Sequence, residues 1–284
     1  MAFPTPIDRT SSTTQLAYRV ALPISLVIWL IPLIGIVLTS GRGLEDIVQG
    51  NYWGVPNQWA FVENYSQVFQ NTPMARYILN SLVITLPAMI GAVSIATMAG
   101  FALAKYRFFG NIVLFALFVG GNFIPFQILM IPVRDMTLRF GLYDSYYALI
   151  FFHIAFQSGF CTLFMRNFIS RLPHELIEAA RIDGAGEWRI FLFIVLPLVR
   201  PALAALAVLI FTFVWNDFFW ALILVQQDAY RPVTAGLSAL QGQWIASWQL
   251  MSAGAVVAAL PPVIMFFLMQ KHFIAGLTLG AQKG

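Results

Sequence analysis

The sequence predicts an all-α polytopic membrane protein with six spans, and three observations predict it. Hydrophobic residues make up 60% of the chain and charged residues only 10%, against about 25% charged in ordinary globular domains. A soluble core of this length cannot bury so much apolar surface, so the chain falls in the membrane class. Six apolar stretches, each close to the ~20 residues that cross a bilayer, alternate with polar segments. The 16 Lys and Arg residues divide unevenly between the two sides that six crossings define, 11 against 5. The richer side is cytoplasmic by the positive-inside rule, which puts both termini in the cytoplasm.

Residues 1–16 are polar and Ser/Thr-rich and read as a cytoplasmic tail; residues 17–284 read as a single transmembrane domain. The apolar run 17–40 follows Arg9 and Arg19 as a signal peptide would. It is longer than the 7–15-residue apolar core of such a peptide, so it is expected to be a retained span. The outer loop 41–75 carries Tyr52, Trp53 and Trp59, which suit the headgroup belt. A second span lies in 76–104, followed by the basic turn Lys105, Tyr106 and Arg107. The third, 111–133, is interrupted by Pro125 and Pro132; an outer loop, 134–144, leads to the fourth, 146–164. A cytoplasmic loop, 166–190, precedes the fifth span, 191–225. Pro197 and Pro201 remove backbone donors there and are expected to bend it. The outer loop 226–249, the sixth span 250–269 and a cytoplasmic tail, 270–284, complete the chain.

Several chemistries find no residues to carry them. Cys161 is the single cysteine, so no internal disulfide can form. No basic run points to nucleic acid, and three scattered histidines make no metal cluster. A phosphate-binding loop needs a Lys between a glycine and a hydroxyl residue, whereas the lysines here follow Ala104, Gln270 and Gln282. In His174-Glu175-Leu176-Ile177-Glu178 a glutamate stands where zinc binding needs a second imidazole. Gln157-Ser158-Gly159 lacks the glycine two places before the serine, so an intramembrane protease has no evident nucleophile site. No catalytic residue and no metal ligand is assigned.

The stretch 171–200, which holds most of the loop 166–190 and the foot of the fifth span, is where the chain is organised. Pro173 suits a first helical position, and Glu175 complements the positive end of the helix dipole. The helix is expected to run through Ala179, Ala180 and Arg181 to Asp183, with Gly184 and Gly186 stopping it. Leu176, Ala179, Ala180 and Asp183 follow i, i+3, i+4, i+7 spacing and so share a face. Its alanines allow close approach, which shapes the helix to sit in a partner's groove. In the fifth span, Trp215-Asn216-Asp217 places a carboxylate ~25 Å along the helix from Arg200. Such a group is costly and faces a cavity, a partner or the bundle interior. Asp217 therefore either lines a solute path or pins its span to a neighbour. Asn122, Gln127, His153 and Gln157 are further polar groups in spans three and four; beside aromatic faces they supply the materials of a carbohydrate site.

Glu178-Ala179-Ala180, then Gly184, then Ile194 and Leu196-Pro197, resembles the EAA signature of permeases of binding-protein-dependent ABC importers, carbohydrate type. The resemblance implies a type I ABC importer permease-like fold in the bacterial inner membrane. It implies that Glu178, Ala179, Ala180, Asp183 and Gly184 form a cytoplasmic coupling helix docked on an ABC ATPase dimer, which would use the ATP and Mg while this chain binds no cofactor. It also implies a second permease subunit and an extracytoplasmic solute-binding protein. Asn64-Tyr65 with Phe69, and Asn80-Ser81-Leu82, are similar to the family's entry into its second span, and Ala102 to Tyr106 to the turn after it. Trp215-Asn216-Asp217 resembles a W-N-E/D segment of these permeases. The closing Gly276-Leu277-Thr278, Gly280-Ala281 and Lys283-Gly284 is similar to the tail of the shorter, maltose-type members, which reaches the ATPase interface. In those members the loop before the last span is a scoop entering the binding protein's pocket, a place matched by Gln241, Gly242, Gln243 and Trp244. There the partner permease holds the sugar, so direct contact along a path of Asn122, Gln127, Trp215, Asn216 and Asp217 stays open. Residues 41–63 carry no family motif. The alternative function is a self-contained secondary carrier or channel for a small polar solute; without an internal repeat, an inverted-repeat carrier gains no support.

Overall fold

The computed structural model describes residues 11–241 and 247–281. In chain order the helices are α1 (Ser12–Ser40), α2 (Leu44–Val48), α3 (Phe61–Gln70), α4 (Met74–Lys105) and α5 (Asn111–Gly121). A 3-10 turn, Phe126–Leu129, leads into α6 (Met130–Arg139), then α7 (Tyr146–Ile169), α8 (His174–Ile182) and α9 (Glu187–Ile190). A π-helical turn, Phe191–Val195, precedes α10 (Leu196–Leu198), α11 (Arg200–Trp215) and α12 (Phe219–Leu224). A 3-10 turn, Asp228–Tyr230, then α13 (Val233–Gln241) and α14 (Trp248–Ala281) follow. Among the described residues the only β pairing is an isolated bridge between Arg42 and Trp59.

Among the described residues, four helices are long and apolar enough to cross a bilayer unbroken: α1, α4, α7 and residues 248–270 of α14. The third and fifth expected spans are each two helices meeting at an angle, so counting each pair as one crossing gives 6. Asn111–Gly121 and Phe126–Arg139 meet at 92°. Pro125 sits at that break, where it has no N–H to continue the ladder and forces the residue before it out of the helical region. Pro132 is tolerated in the first turn of α6, where backbone donors lack intrahelical partners. Residues 134–139, expected in a polar loop, complete α6 instead. Glu187–Leu198 and Arg200–Trp215 meet at 77°, with Val199 at the corner (φ −96°, ψ 6°) between the two prolines. The bend expected from Pro197 and Pro201 thus falls at Val199, and the run expected to reach residue 225 breaks a second time after Trp215. Two boundaries also move: α1 starts at Ser12, capped by the Ser11 hydroxyl accepting from the Thr14 N–H at 3.4 Å, and helix continues through the expected tail to Ala281.

Packing divides the chain into two compact units, a division that no linker in the sequence announces. The first comprises the chain up to Thr72 with residues 240–257. In it α1 buries only Ser40 and exposes apolar side chains on all sides, as a helix solvated by lipid does. The motif-free segment 41–63 is folded around two buried charged residues, Arg42 and Asp46. Arg42 Nη2 donates to the Gly54 carbonyl at 2.5 Å, and the Asn64 amide donates to the carbonyls of Ser40 and Arg42 at 2.9 and 2.8 Å. Burial alone pushes the Asp46 carboxyl upward; hydrogen bonds from Asn51 and Asn57, with Arg42 nearby, outweigh it and hold the group below the ordinary aspartate value.

The second unit comprises residues 73–239 with 258 onward. Its core is α4 against α7, with α11 on the same seam. Ala88, Ala92 and Ala96 recur one turn apart on the buried face of α4, and small residues let membrane helices approach closely. At Gly100 α4 meets the backbone of α7: a Cβ there would lie 2.9 Å from the Arg166 backbone nitrogen. At the far end of α4 from Lys105, the hairpin 225–233 is stapled down. The Asn80 amide donates to the carbonyls of Ala229 and Arg231 at 3.0 and 2.9 Å. The Tyr146 hydroxyl donates to Asn80 Oδ1 at 2.6 Å, and the Val233 N–H to the Ser81 hydroxyl at 2.8 Å. Asp144 accepts the N–H groups of Gln226 and Gln227 at 2.7 and 2.8 Å, and the Tyr77 hydroxyl donates to Asp228. Asn64, Asn80 and Ser81, singled out by resemblance, are thus backbone staples.

Candidate functional site

Helix α8 stands where the loop 166–190 predicted it, with Glu175 in its first turn and Asp183 at its C-terminal cap. Gly184 has φ +80°, a left-handed conformation that glycine alone adopts without strain. No neighbour crowds its Cβ position, so backbone conformation and not space requires glycine. The Ala185 N–H closes the turn on the Ala180 carbonyl at 2.9 Å.

The predicted shared face is divided. Ala180 turns inward with Ile177, 8% and 2% exposed, against the core of its own unit. Leu176, Ala179 and Asp183 stay outside. Beside them lies Ile182, 86% exposed, three residues after Ala179 and not among the four residues of the predicted face. The outward surface of α8 is therefore a small alanine flanked by Leu176 and Ile182 and edged by Glu178 and Asp183.

Groups outside the motif hold α8 in place. Lys105 Nζ donates to the Leu172 carbonyl at 2.6 Å, just before the helix begins. Across the glycine turn, Arg181 donates from Nε to Glu187 Oε1 at 2.8 Å and from Nη2 to Oε2 at 3.3 Å. The Tyr106 hydroxyl donates to the same carboxylate, and the Arg181 guanidinium lies 5.6 Å from the centre of the Tyr106 ring. The Glu187 carboxylate beside it raises Arg181 above the usual arginine value. Burial, reinforced by that carboxylate, raises Tyr106 above the usual phenol value. The basic turn 105–107 was the sole sequence signal pointing to these contacts.

Asp217 does not ride partway along a helix as expected. α11 ends at Trp215, and the Asp217 carboxylate caps the next helix, accepting the N–H groups of Trp220 and Ala221 at 3.3 and 3.1 Å. His153 Nε2 is 3.5 Å from the same carboxylate, and Thr234 Oγ1 donates to the Asp217 carbonyl. This one residue ties together α7, α12 and α13, so pinning is the role that its contacts within the chain make. Trp215 is buried and donates its indole N–H to the Ala258 carbonyl at 3.0 Å, whereas Asn216 is exposed and bonds back to Thr212.

Asn122 lies in a cleft of about 400 Å³ lined by Phe118, Phe152, Phe156 and Ser158, among others. Its amide donates to the Phe118 carbonyl at 2.9 Å. Gln127 and the Trp215-Asn216-Asp217 segment do not line that cleft, so the structure leaves the expected path residues dispersed. Gly242, Gln243 and Trp244 lie outside the described residues, and Gln241 is described only as the backbone end of α13.

Residues 92–278 match the family described as the binding-protein-dependent transport system inner membrane component. The osmoprotective compounds uptake permease protein GgtD of Synechocystis is 34% identical over 281 residues, covering 97% of this chain and 94% of that one. The arabinooligosaccharides transport system permease protein AraQ of Halalkalibacterium halodurans is 32% identical over 255 residues, 89% of this chain and 91% of that one. Among solved structures, a chain of a bacterial ABC transporter involved in import of the acidic polysaccharide alginate superposes with a TM-score of 0.78. That chain is 23% identical, with 96% of this chain and 100% of that chain covered, which establishes the fold.

Proposed function

The chain belongs to the family of binding-protein-dependent transport system inner membrane components, and from that membership we propose that it is a membrane subunit of an ATP-driven importer whose cargo is a carbohydrate or related polyol. The uptake systems named for the relatives, arabinooligosaccharides and osmoprotective compounds, support that class of cargo. A solute-binding protein delivers the cargo from outside, a second permease subunit completes the passage, and a separate pair of ABC ATPases hydrolyses ATP. In the bacterial inner membrane both termini face the cytoplasm, as the 11-to-5 division of Lys and Arg favours.

The observation that carries the proposal is the outward surface of α8. A helix with an exposed Leu176 and Ile182 around Ala179, ended by a glycine in a left-handed turn, fits a groove of another protein. Glu178, Ala179, Asp183 and Gly184 form the surface that the ATPase grips, and Ala180 seats the helix on its own core. ATP-driven closure of the two ATPases displaces α8, and that displacement switches the permease pair between inward-open and outward-open states. The Asn122 cleft, with aromatic walls and an amide, contributes to the solute path, while Trp215, Asn216 and Asp217 shape that path by holding the helix ends around it.

The test is to purify the complex through this chain and measure ATP hydrolysis with its binding protein across a panel of sugars and polyols. Stimulation by one of them is expected. Uptake into liposomes by this chain alone, without ATP, would instead identify a carrier or channel. Orientation is tested by a cysteine at Ala179, since the native Cys161 is buried; labelling is expected from the cytoplasmic side only.

A further inference from the structure

The glycine turn that ends α8 raises a mechanical difficulty. Gly184 is at φ +80° with open space around it, and Gly186 follows two residues later. A displacement applied to α8 passes stiffly into the chain that follows only if a contact bridges these two residues. Hydrogen-bond and ion-pair networks between rigid elements can carry such movement.

Such a connection is present in groups that the EAA motif does not contain. Arg181, on the last turn of α8, makes a two-point contact with Glu187, the first residue of α9, at 2.8 and 3.3 Å. That contact spans the turn from one side to the other. The Tyr106 hydroxyl, at the end of α4, donates to the same carboxylate. Tyr106 is itself fixed: its carbonyl accepts from the Asn111 amide at 3.0 Å, and its ring packs edge-on to Phe101 at 5.5 Å. Lys105, its neighbour, grips the Leu172 carbonyl at the other end of α8. Both ends of α8 are thus tied to Lys105, the last residue of α4, and to Tyr106 just beyond it; α4 forms the core of the unit with α7.

We propose that Tyr106, Arg181 and Glu187 form a clasp that locks α8, α9 and the end of α4 into one moving body, so that a push on α8 reaches α4 as well as the bent fifth span. They are positioning residues: none touches cargo or nucleotide. The inference rests on the importer proposed above and adds to it the route by which α8 acts on the transmembrane core. It assigns α4 as a driven helix, adding a polar tie at its end to the apolar contact that Ala180 and Ile177 make with the core. The side chains of Arg181 and Glu187 are 38% and 47% exposed, so the clasp adds little to folding, and its effect is on transmission.

The experiment uses the complete complex, with the ATPases and binding protein, reconstituted in liposomes. The variants are Arg181→Glu, Glu187→Arg, the double charge swap, and Tyr106→Phe. Each is assayed for copurification of the ATPase, for ATP hydrolysed and for solute imported. Normal copurification with a drop of about fivefold or more in solute imported per ATP is expected for each charge reversal, the low end of known coupling free energies. The double swap is expected to recover most of the ratio, and Tyr106→Phe to give a smaller loss. An unchanged ratio in both reversals overturns the proposal. So does a loss that the double swap fails to restore, or one that only parallels lost copurification. Failure of the importer assignment would show differently, as an unsubstituted chain that captures no ATPase.

Discussion

The two ends of α4 are held by opposite kinds of chemistry. At the end near Tyr77 and Asn80, side chains staple a hairpin through its backbone. The buried Asn80 serves three partners at once, and Ser81 and Asp144 accept backbone donors. At the end near Lys105, the contacts to α8 are made by charged side chains: the buried Lys105 on the Leu172 carbonyl, and the half-exposed Arg181–Glu187 pair that bridges a glycine turn. Staples made by the buried side chains of Asn80 and Ser81 are expensive to break, because a buried polar group freed of its partner is costly. An exposed ion pair is cheap to break and to remake. The first arrangement suits a fixed frame; the second suits a joint that moves on every cycle.

Substitutions that separate stability from coupling sharpen this contrast. The largest expected effect is at Asn80. Asn80→Leu leaves two carbonyls and the Tyr146 hydroxyl without their partner, a loss of about 3 kcal/mol that should appear as a lower unfolding temperature in detergent. Gly184→Val comes next. Forcing a branched residue to φ +80° costs ~1–2 kcal/mol locally, and ATP hydrolysis should continue while uptake falls in the reconstituted complex. Normal uptake in that variant would remove α8 from its assigned role.

At Asp144, burial raises the carboxyl, but hydrogen bonds from Gln227 and Gln226 outweigh it and hold it below the ordinary 3.8. A group depressed in the folded state contributes stability above its unfolded value, and that contribution is lost as pH falls through the folded value. Melting temperature should therefore decline as pH drops below about 4, with a shallower decline in Asp144→Asn. The smallest effect on stability is expected for Glu187→Gln, a change of about 0.5 kcal/mol or less. A large drop in melting temperature there would show that the joint is part of the frame after all.

The sequence was legible where one residue type decides the matter by itself. Gly184 and Asp183 end α8 where their chemistry requires, and the glutamate, the alanines and the later Leu196-Pro197 carry the family resemblance that the match over residues 92–278 establishes. Pro197 and Pro201 announced a bend, which occurs at Val199 between them. Asp217 was half legible. Its cost in an apolar span was plain, but a cap on α12 is visible only once the break after Trp215 is known. Ala180 illustrates the limit on helix faces, since i, i+4 spacing names its neighbours without saying which of them points inward.

Composition, charge placement and local turn chemistry determined on their own that this is a helical membrane protein with a permease signature, because each acts over a few residues or through bulk transfer to lipid. Tertiary structure alone decided the 92° angle at the Pro125 interruption, the break after Trp215, the folding of the segment 41–63 around Arg42 and Asp46, and the meeting of Tyr106, Arg181 and Glu187. Tyr106 and Glu187 are 81 positions apart in the chain. No periodicity or propensity records a contact of that range; only the packing of α4 against the elements around α8 and α9 brings the phenol to the carboxylate.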